Sequence, residues 1–407
     1  MAVLTWSRLA MIAADRAPRV LYCTDTYPPQ VNGVSVVTSL SVEGLRERGW
    51  ECAVIAPAYG ASADGSSSEG PHVTAIPSMA LPVYPDIRLA APDYWTIATA
   101  IRVFQPDLVH CATEFVIGAL GQVAARRADI PVVSSYHTDF SRYADAYGVP
   151  WLRGVVTRYI GRFHRRSAHT YTPSVPASED LKGMGVAAVE VWGRAVDTRL
   201  FHPSRRSRPF MAAYGLEDRF VFLHVGRLAA EKGVECLLAA FQQAREALPA
   251  RTIHLIVAGA GPEEQRLRTA APPDVTFLGV LDRQKTLPKL YASADCFLFS
   301  SLTETLGLVV LEAMASGIPV IATPAGGVAD HLRDEVNGLA IPPNDPAAMA
   351  QAMVALTLDR GRRDRLAAGA RRTAEPLGWD AELDRLEYSY RRVVGLINGT
   401  ATVALAG

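Results

Sequence analysis

At 407 residues the chain is too long for one ordinary hydrophobic core and suits two domains of roughly 200 residues each. Apolar residues make up 49% and charged residues 20%, a balance that excludes a disordered chain. The 41 basic residues match 41 acidic ones, so no global field draws the chain to nucleic acid and any basic partner surface must be local.

No apolar run reaches the length of a membrane span. Residues 1–14 are apolar but are interrupted by Arg8, lack a basic start and lead straight to Asp15 and Arg16, so 1–18 is expected to be an extension and not a signal peptide. Cys23, Cys52, Cys111, Cys236 and Cys296 show neither close pairing nor zinc spacing and are expected to be reduced core residues of a cytosolic protein. Nearly all the basic residues are arginine. Only Lys182, Lys232, Lys285 and Lys289 are lysine, which singles each of them out.

Short apolar, β-branched runs alternate with helical patterns, the mark of parallel sheets built from βαβ units. Strands are predicted at 19–24, 51–57, 73–77, 107–111, 131–137, 169–172 and 189–192, and a second series at 219–225, 253–258, 275–278, 296–300, 319–322 and 339–341. The fold class is α/β, with two doubly wound domains facing across a cleft. The first is expected over 19–200 and the second over 201–375, divided where Asp197, Pro203 and the polar stretch 204–209 break the pattern. Residues 61–70, rich in Ser, Gly and Ala, read as a loop. The helical pattern within 376–396, after Pro376 and Gly378, is expected to cross back onto the first domain, leaving 397–407 as a tail. Ligands of open parallel sheets bind beyond the carboxyl ends of the strands, so chemistry is sought in the loops that follow them.

After the first strand, Asp25-Thr26-Tyr27-Pro28-Pro29-Gln30-Val31-Asn32-Gly33 forms a proline turn ending in a glycine before a helix. Gly33 gives a phosphate or sugar close access to the backbone, and the helix N-terminus favours an anion; an ordinary left-handed turn would also need this Asn-Gly pair. His137 ends a strand and is followed by Thr138 and Asp139, which places it to face the cleft as a hydrogen-bonding or polarising group. His110, His224 and His254 lie within apolar strands and are expected to be satisfied core or strand-end residues. At the first strand of the second domain, Val225-Gly226-Arg227 precedes Glu231-Lys232-Gly233. Arg227 can fork two phosphate oxygens and Lys232 adds a compact charge, together offsetting most of a diphosphate's charge. No Asp-X-Asp pair stands ready for a divalent metal, so no metal or cofactor is expected. Gly259-Ala260-Gly261 and Gly326-Gly327 end later strands, as close phosphate contact or helix–strand packing would each require.

The run Thr303-Glu304-Thr305-Leu306-Gly307-Leu308-Val309-Val310-Leu311-Glu312 holds two acids eight residues apart as the only charges in small, apolar surroundings. Both acids must find polar partners. If the whole run is helical they stand about 12 Å apart along the axis. That span suits one acid on a sugar and the other on the ribose of a nucleotide diphosphate sugar, with the amides of Thr305, Leu306, Gly307 and Leu308 at the phosphates between. A buried helix with two capping or ion-paired acids would look the same. Residues 151–166 form a basic amphipathic pattern in which Arg153, Arg158, Arg162, Arg165 and Arg166 alternate with apolar and aromatic residues, as for a helix on an anionic bilayer or an ordinary packing helix with a solvated face.

Together these motifs resemble the retaining glycosyltransferases of family 4, which have the GT-B fold. The resemblance runs from Arg19 to about Val394 and is carried by Glu304-X7-Glu312 with its Ala-Met-Ala-Ser-Gly-Ile-Pro-Val sequel and by Gly226-Arg227 with Glu231-Lys232-Gly233. The proline loop, Tyr136-His137-Thr138-Asp139-Phe140 and Trp192-Gly193-Arg194 look like the branch containing lipid mannosyltransferases and sulfoquinovosyl-diacylglycerol synthases; Ala195 stands where that branch usually has glycine. The resemblance implies a GDP-mannose or UDP-sugar donor, with Glu312 on ribose, Glu304 on the hexose, Arg227, Lys232 and Gly33 at the diphosphate, Gly259 lining the nucleotide site, and His137 near the reacting carbon. It implies a lipid or glycan acceptor contacted by Asn32, Asp139 and Tyr143, front-face attack, and a peripheral place on the inner face of the plasma membrane. A nucleotide-sugar 2-epimerase and a non-catalytic two-domain sugar-binding protein are the other classes compatible with such sheets.

Overall fold

The apolar runs become parallel strands because a strand covered by helices on both faces must be apolar on both. The computed structural model describes residues 16–30, 32–59, 72–81, 84–137, 151 and 153–395. The first sheet comprises β1 (Arg19–Cys23), β2 (Glu51–Pro57) and β3 (His72–Ile76). A hairpin of β4 (Ser78–Leu81) and β5 (Tyr84–Ala90) interrupts the series before β6 (Leu108–Cys111), β7 (Val132–Ser135), β8 (His169–Thr172) and β9 (Val189–Val191). The second sheet comprises β10 (Phe220–Val225), β11 (Ile253–Ala258), β12 (Val275–Gly279), β13 (Cys296–Phe299), β14 (Val320–Ala322) and β15 (Gly338–Ala340).

Spatial order is β3-β2-β1-β6-β7-β8-β9 in one sheet and β12-β11-β10-β13-β14-β15 in the other, with every neighbour parallel. Strand order therefore reverses between β1 and β6 and between β10 and β13, which opens a crevice at their carboxyl ends. The antiparallel β4–β5 hairpin is absent from the sequence-based assignment. Prolines at 77, 82 and 85 hide its alternation, and its Met79–Leu89 cross-strand pair is exposed and belongs to neither sheet core.

The helix Trp379–Val393 packs on the first domain, where Leu386, Tyr390 and Val394 join the core of Val20, Tyr22, Val54, Val133 and Tyr171. Acids in its first turn, Asp380 and Glu382, and Arg391 and Arg392 in its last complement the helix dipole. Buried hydroxyls tie it down. Tyr390 meets Tyr22 Oη at 2.8 Å and the His110 Nδ1, while Tyr171 Oη donates to Ser389 Oγ at 2.7 Å. At the chain's crossing between domains, Arg194 pairs with Asp330 at 2.8 Å. Glu382 accepts from the Gly193 amide at 2.7 Å and, through its carbonyl, from Trp192 Nε1 at 2.6 Å. Gly44 lies beneath this helix, where a Cβ would sit 2.2 Å from Leu383 Cδ1 and make that side chain shift.

Truncating Leu386, which is fully buried, removes apolar contact that joins the two ends of the chain. Leu386→Ala is expected to destabilise the first domain by about 2–5 kcal/mol, read as a lower denaturant midpoint by circular dichroism.

Candidate active site

The second domain brings its charges together at the β10/β13 crevice. β10 runs out at Val225, Gly226 and Arg227 follow, and the short turn Ala230–Lys232 leads to the helix Val234–Ala247. Gly233 adopts φ 65° with Ser300 pressed against it, and Ser300 Oγ donates to the carbonyls of Lys232 at 3.1 Å and Gly233 at 2.9 Å. The loop after β13 is thereby fastened to the loop after β10. Lys232 Nζ then forms an ion pair with Glu304 Oε1, and Arg227 pairs with the buried Glu231. Two cations ahead of a helix would oppose its dipole, and the two acids compensate them.

Glu304 lies in a loop, because the helix begins only at Leu308, after Gly307 at φ 75°. Thr305 and Leu306 thus precede the helix, and the first-turn amides expected from Thr305 onward start at Leu308; the eight-residue helical spacing does not apply. Gly326 and Gly327 floor this loop: a Cβ on either would approach the carbonyl oxygen of Glu304 or Thr305 to 2.0 or 2.2 Å, and the Gly327 amide donates to Glu304 O at 2.8 Å. Gly259, at φ 129°, packs likewise against Gly226 O, where a Cβ would stand at 1.9 Å. It shapes the Arg227 loop from behind. Glu312, on the helix Leu308–Ala315, is buried and ion-paired to Arg283. Burial raises its carboxyl above the ordinary range, and Arg283 with the Tyr291 hydroxyl draws it back.

From the first domain, His137 follows β7 and is partly buried. Its carbonyl accepts a hydrogen bond from Thr305 Oγ1, so the histidine and the Glu304 loop meet across the cleft. Burial, with the His164 charge adding to it, lowers the His137 pKa to about 4, which leaves the imidazole neutral at physiological pH. Asn32 caps the helix Gly33–Glu47: its Oδ1 accepts from the Ser35 amide at 2.9 Å and its Nδ2 donates to Thr26 Oγ1 at 2.7 Å. Around Gly33, no non-neighbouring atom of the described residues comes within 4 Å of where a Cβ would stand. Asp25, in the loop after β1, is half-buried, and accepts from Thr113 Oγ1 at 2.6 Å and the Ile117 amide at 2.9 Å. Asp139 and Tyr143 lie outside the described residues.

The basic segment forms the helix Arg153–His164, whose Ile160, Phe163 and His164 face inward. Trp151, Val155 and Tyr159 are exposed at 75%, 58% and 43%, four residues apart, and Arg153, Arg158, Arg162, Arg165 and Arg166 are exposed around them. His164 Nε2 meets the buried Glu114 at 3.3 Å. Of the strand histidines, His110 and His254 find partners on both nitrogens, whereas His224 Nε2 has none among the described residues. Cys236 departs from the core expectation, being a half-exposed helical residue; the other four cysteines are buried, and all five are free. Glu231, Arg283 and Glu114 are site or near-site residues absent from the sequence-based set. Glu231 alone carried a signal, four residues beyond Arg227.

Family models match both halves: one described as Glycosyltransferase Family 4 over residues 31–200, and one as Glycosyl transferases group 1 over 219–359. A GDP-mannose-dependent alpha-mannosyltransferase of Mycobacterium tuberculosis is 34% identical over 386 residues, covering 93% of this chain and 97% of that protein. The chain belongs to the family 4 glycosyltransferases. A sulfoquinovosyl transferase of Arabidopsis thaliana is 31% identical, with 84% of this chain and 67% of that protein covered. In fold the glycosyltransferase superposes on sucrose-phosphate synthase from Thermosynechococcus elongatus with TM-score 0.75 at 20% identity, covering 94% of this chain and all of the other. The facing sheets are the GT-B fold.

The lowered pKa of His137 has a direct readout. By histidine NMR, with His137→Gln assigning the signal, its imidazole is expected to titrate near 4 and not near 6.5, gaining charge only as pH falls well below 6.

Proposed function

We infer that this glycosyltransferase moves a hexose from a nucleotide diphosphate sugar, GDP-mannose before UDP-sugars, to a hydroxyl of a lipid or lipid-linked acceptor with retention at the anomeric carbon. The observation that carries this reading is the pairing of Lys232 with Glu304 at the β10/β13 crevice, opposite His137. A diphosphate placed there takes Arg227 and Lys232 as counter-charges. That frees Glu304 to accept from hexose hydroxyls, while Glu312 accepts from the ribose. The neutral His137 can donate to the sugar near the reacting carbon. The acceptor oxygen bonds to the anomeric carbon on the face the leaving phosphate vacates; the carbon–phosphate oxygen bond breaks, and that phosphate takes the acceptor proton. The donor preference follows the mannosyltransferase relatives. A sulfoquinovosyl or glucosyl donor is the second reading, supported by the relatives named for sulfoquinovosyl transfer and as an alpha-monoglucosyldiacylglycerol synthase.

Product formation across GDP-mannose, UDP-glucose, UDP-glucuronate and UDP-sulfoquinovose tests the donor, and is expected to be highest with GDP-mannose. Arg227→Ala and Lys232→Ala are each expected to lower turnover at least about tenfold, since each loses a charge-assisted contact of roughly 1.5–3 kcal/mol. Activity is expected to persist in EDTA. Conversion of the donor sugar without an acceptor would favour an epimerase instead, and binding without turnover a sugar-binding protein.

The lipid acceptor is supported by the exposed Trp151, Val155 and Tyr159 among arginines on the acceptor domain. Among the described residues no helix is long and apolar enough to cross a membrane. Arginines near an anionic surface contribute about 1 kcal/mol each, so peripheral binding at a cytoplasmic membrane face suits the helix. Co-sedimentation with anionic liposomes is expected to be salt-sensitive and lost when Arg158, Arg162 and Arg166 become Glu. Equal binding of native and altered chains would overturn the membrane role.

A further inference from the structure

Among the described residues Arg283 is the cation paired with the motif's second acid, and neither the motif nor its spacing names it. It follows β12, the outer strand on the β11 side of the second sheet, and lies 29 residues before Glu312. Its Nη2 donates to Glu312 Oε1, and its guanidinium lies over the Phe201 ring, 5.0 Å from the centroid. Phe201 is fully buried where the chain enters the second domain, so the arginine is held from two sides. The side chains of Arg283 and Glu312 are 16% and 3% exposed.

A carboxylate buried this far without a counter-charge would take up a proton or turn away. A protonated acid gains one donor and loses part of its accepting capacity, which makes it a poorer partner for two adjacent hydroxyl donors. Beside it, Tyr291 adds a buried hydroxyl but no charge.

We propose that Arg283 is a positioning residue that holds the Glu312 carboxylate oriented to accept hydrogen bonds from the vicinal hydroxyls of the donor's ribose. This rests on the reading of Glu312 as the ribose-binding acid. Through its bond to Oε1 the arginine fixes the carboxylate plane, and Phe201 fixes the arginine. Discrimination between a ribose and a deoxyribose then depends on a residue outside the Glu304-X7-Glu312 block.

The test is calorimetric binding of GDP against 2′-deoxy-GDP, and of UDP against 2′-deoxy-UDP, to the full chain and to Glu312→Gln, Arg283→Met and Arg283→Lys. The native chain is expected to prefer the ribose form of its nucleotide by about tenfold or more, as the loss of a hydrogen bond to a charged group implies. Glu312→Gln and Arg283→Met are expected to bring that ratio close to one, and Arg283→Lys to restore part of it. Circular dichroism of each variant separates a folding loss from a binding loss, and Arg283→Lys keeps the test open if Arg283→Met does not fold. If Arg283→Met, or Arg283→Lys in its place, binds more weakly yet keeps the full native ratio, Arg283 is only structural and the proposal is overturned. If the native chain and Glu312→Gln show the same ratio, the ribose reading itself fails and this role falls with it.

Discussion

The contact between Lys232 and Glu304 joins two loops that lie 72 residues apart in sequence. Parallel strands deliver their carboxyl ends to one edge of a sheet, and the reversal of order between β10 and β13 leaves a gap there that the following loops must fill. In this chain they fill it with opposite charges. Packing sets the geometry beneath: Gly233 against Ser300, Gly259 against Gly226, and Gly326 and Gly327 under Glu304 and Thr305. A methyl group at Gly259 or Gly326 would meet a carbonyl oxygen well inside contact distance and push the charged loops apart. The glycines therefore serve the site by letting backbones approach, and the charges act because that approach is fixed.

The first domain contributes a different kind of surface. Its half of the cleft holds a neutral histidine, an open glycine at a helix start and a half-buried aspartate tied to a neighbouring helix. Arg227 and Lys232 thus put cationic groups on one side while the opposite side offers hydrogen bonds. Thr305 reaches across to the His137 carbonyl, Arg194 pairs with Asp330, and the last helix inserts Leu386 and Tyr390 into the first core. These contacts set how the two halves face, and through them the distance between His137 and the Glu304 loop.

Much of the candidate site was legible because its residues stand out against their surroundings. Glu304 and Glu312 are lone charges in an apolar run, and Lys232 is a rare lysine in an arginine-rich chain. Parallel sheets were legible too, since strands covered on both faces are apolar throughout. The partners were not. Arg283 is one arginine among many, and its place over Phe201 and against Glu312 arises from segments far apart in sequence. Glu231 stood in the motif without a role, and only the fold shows it buried against Arg227. Where the motif helix starts was left open because Leu306 and Leu308 look equally helical, and Gly307 in the left-handed region starts it between them.

The most direct measurement of the central claim is a crystal structure of this chain with an intact nucleotide diphosphate sugar. The account predicts that the diphosphate lies against Arg227 and Lys232, that the Lys232 ammonium has turned from Glu304 toward phosphate oxygen, and that Glu304 bonds the hexose opposite His137. A donor bound elsewhere, with the Lys232–Glu304 pair intact and the β10/β13 crevice empty, would contradict it.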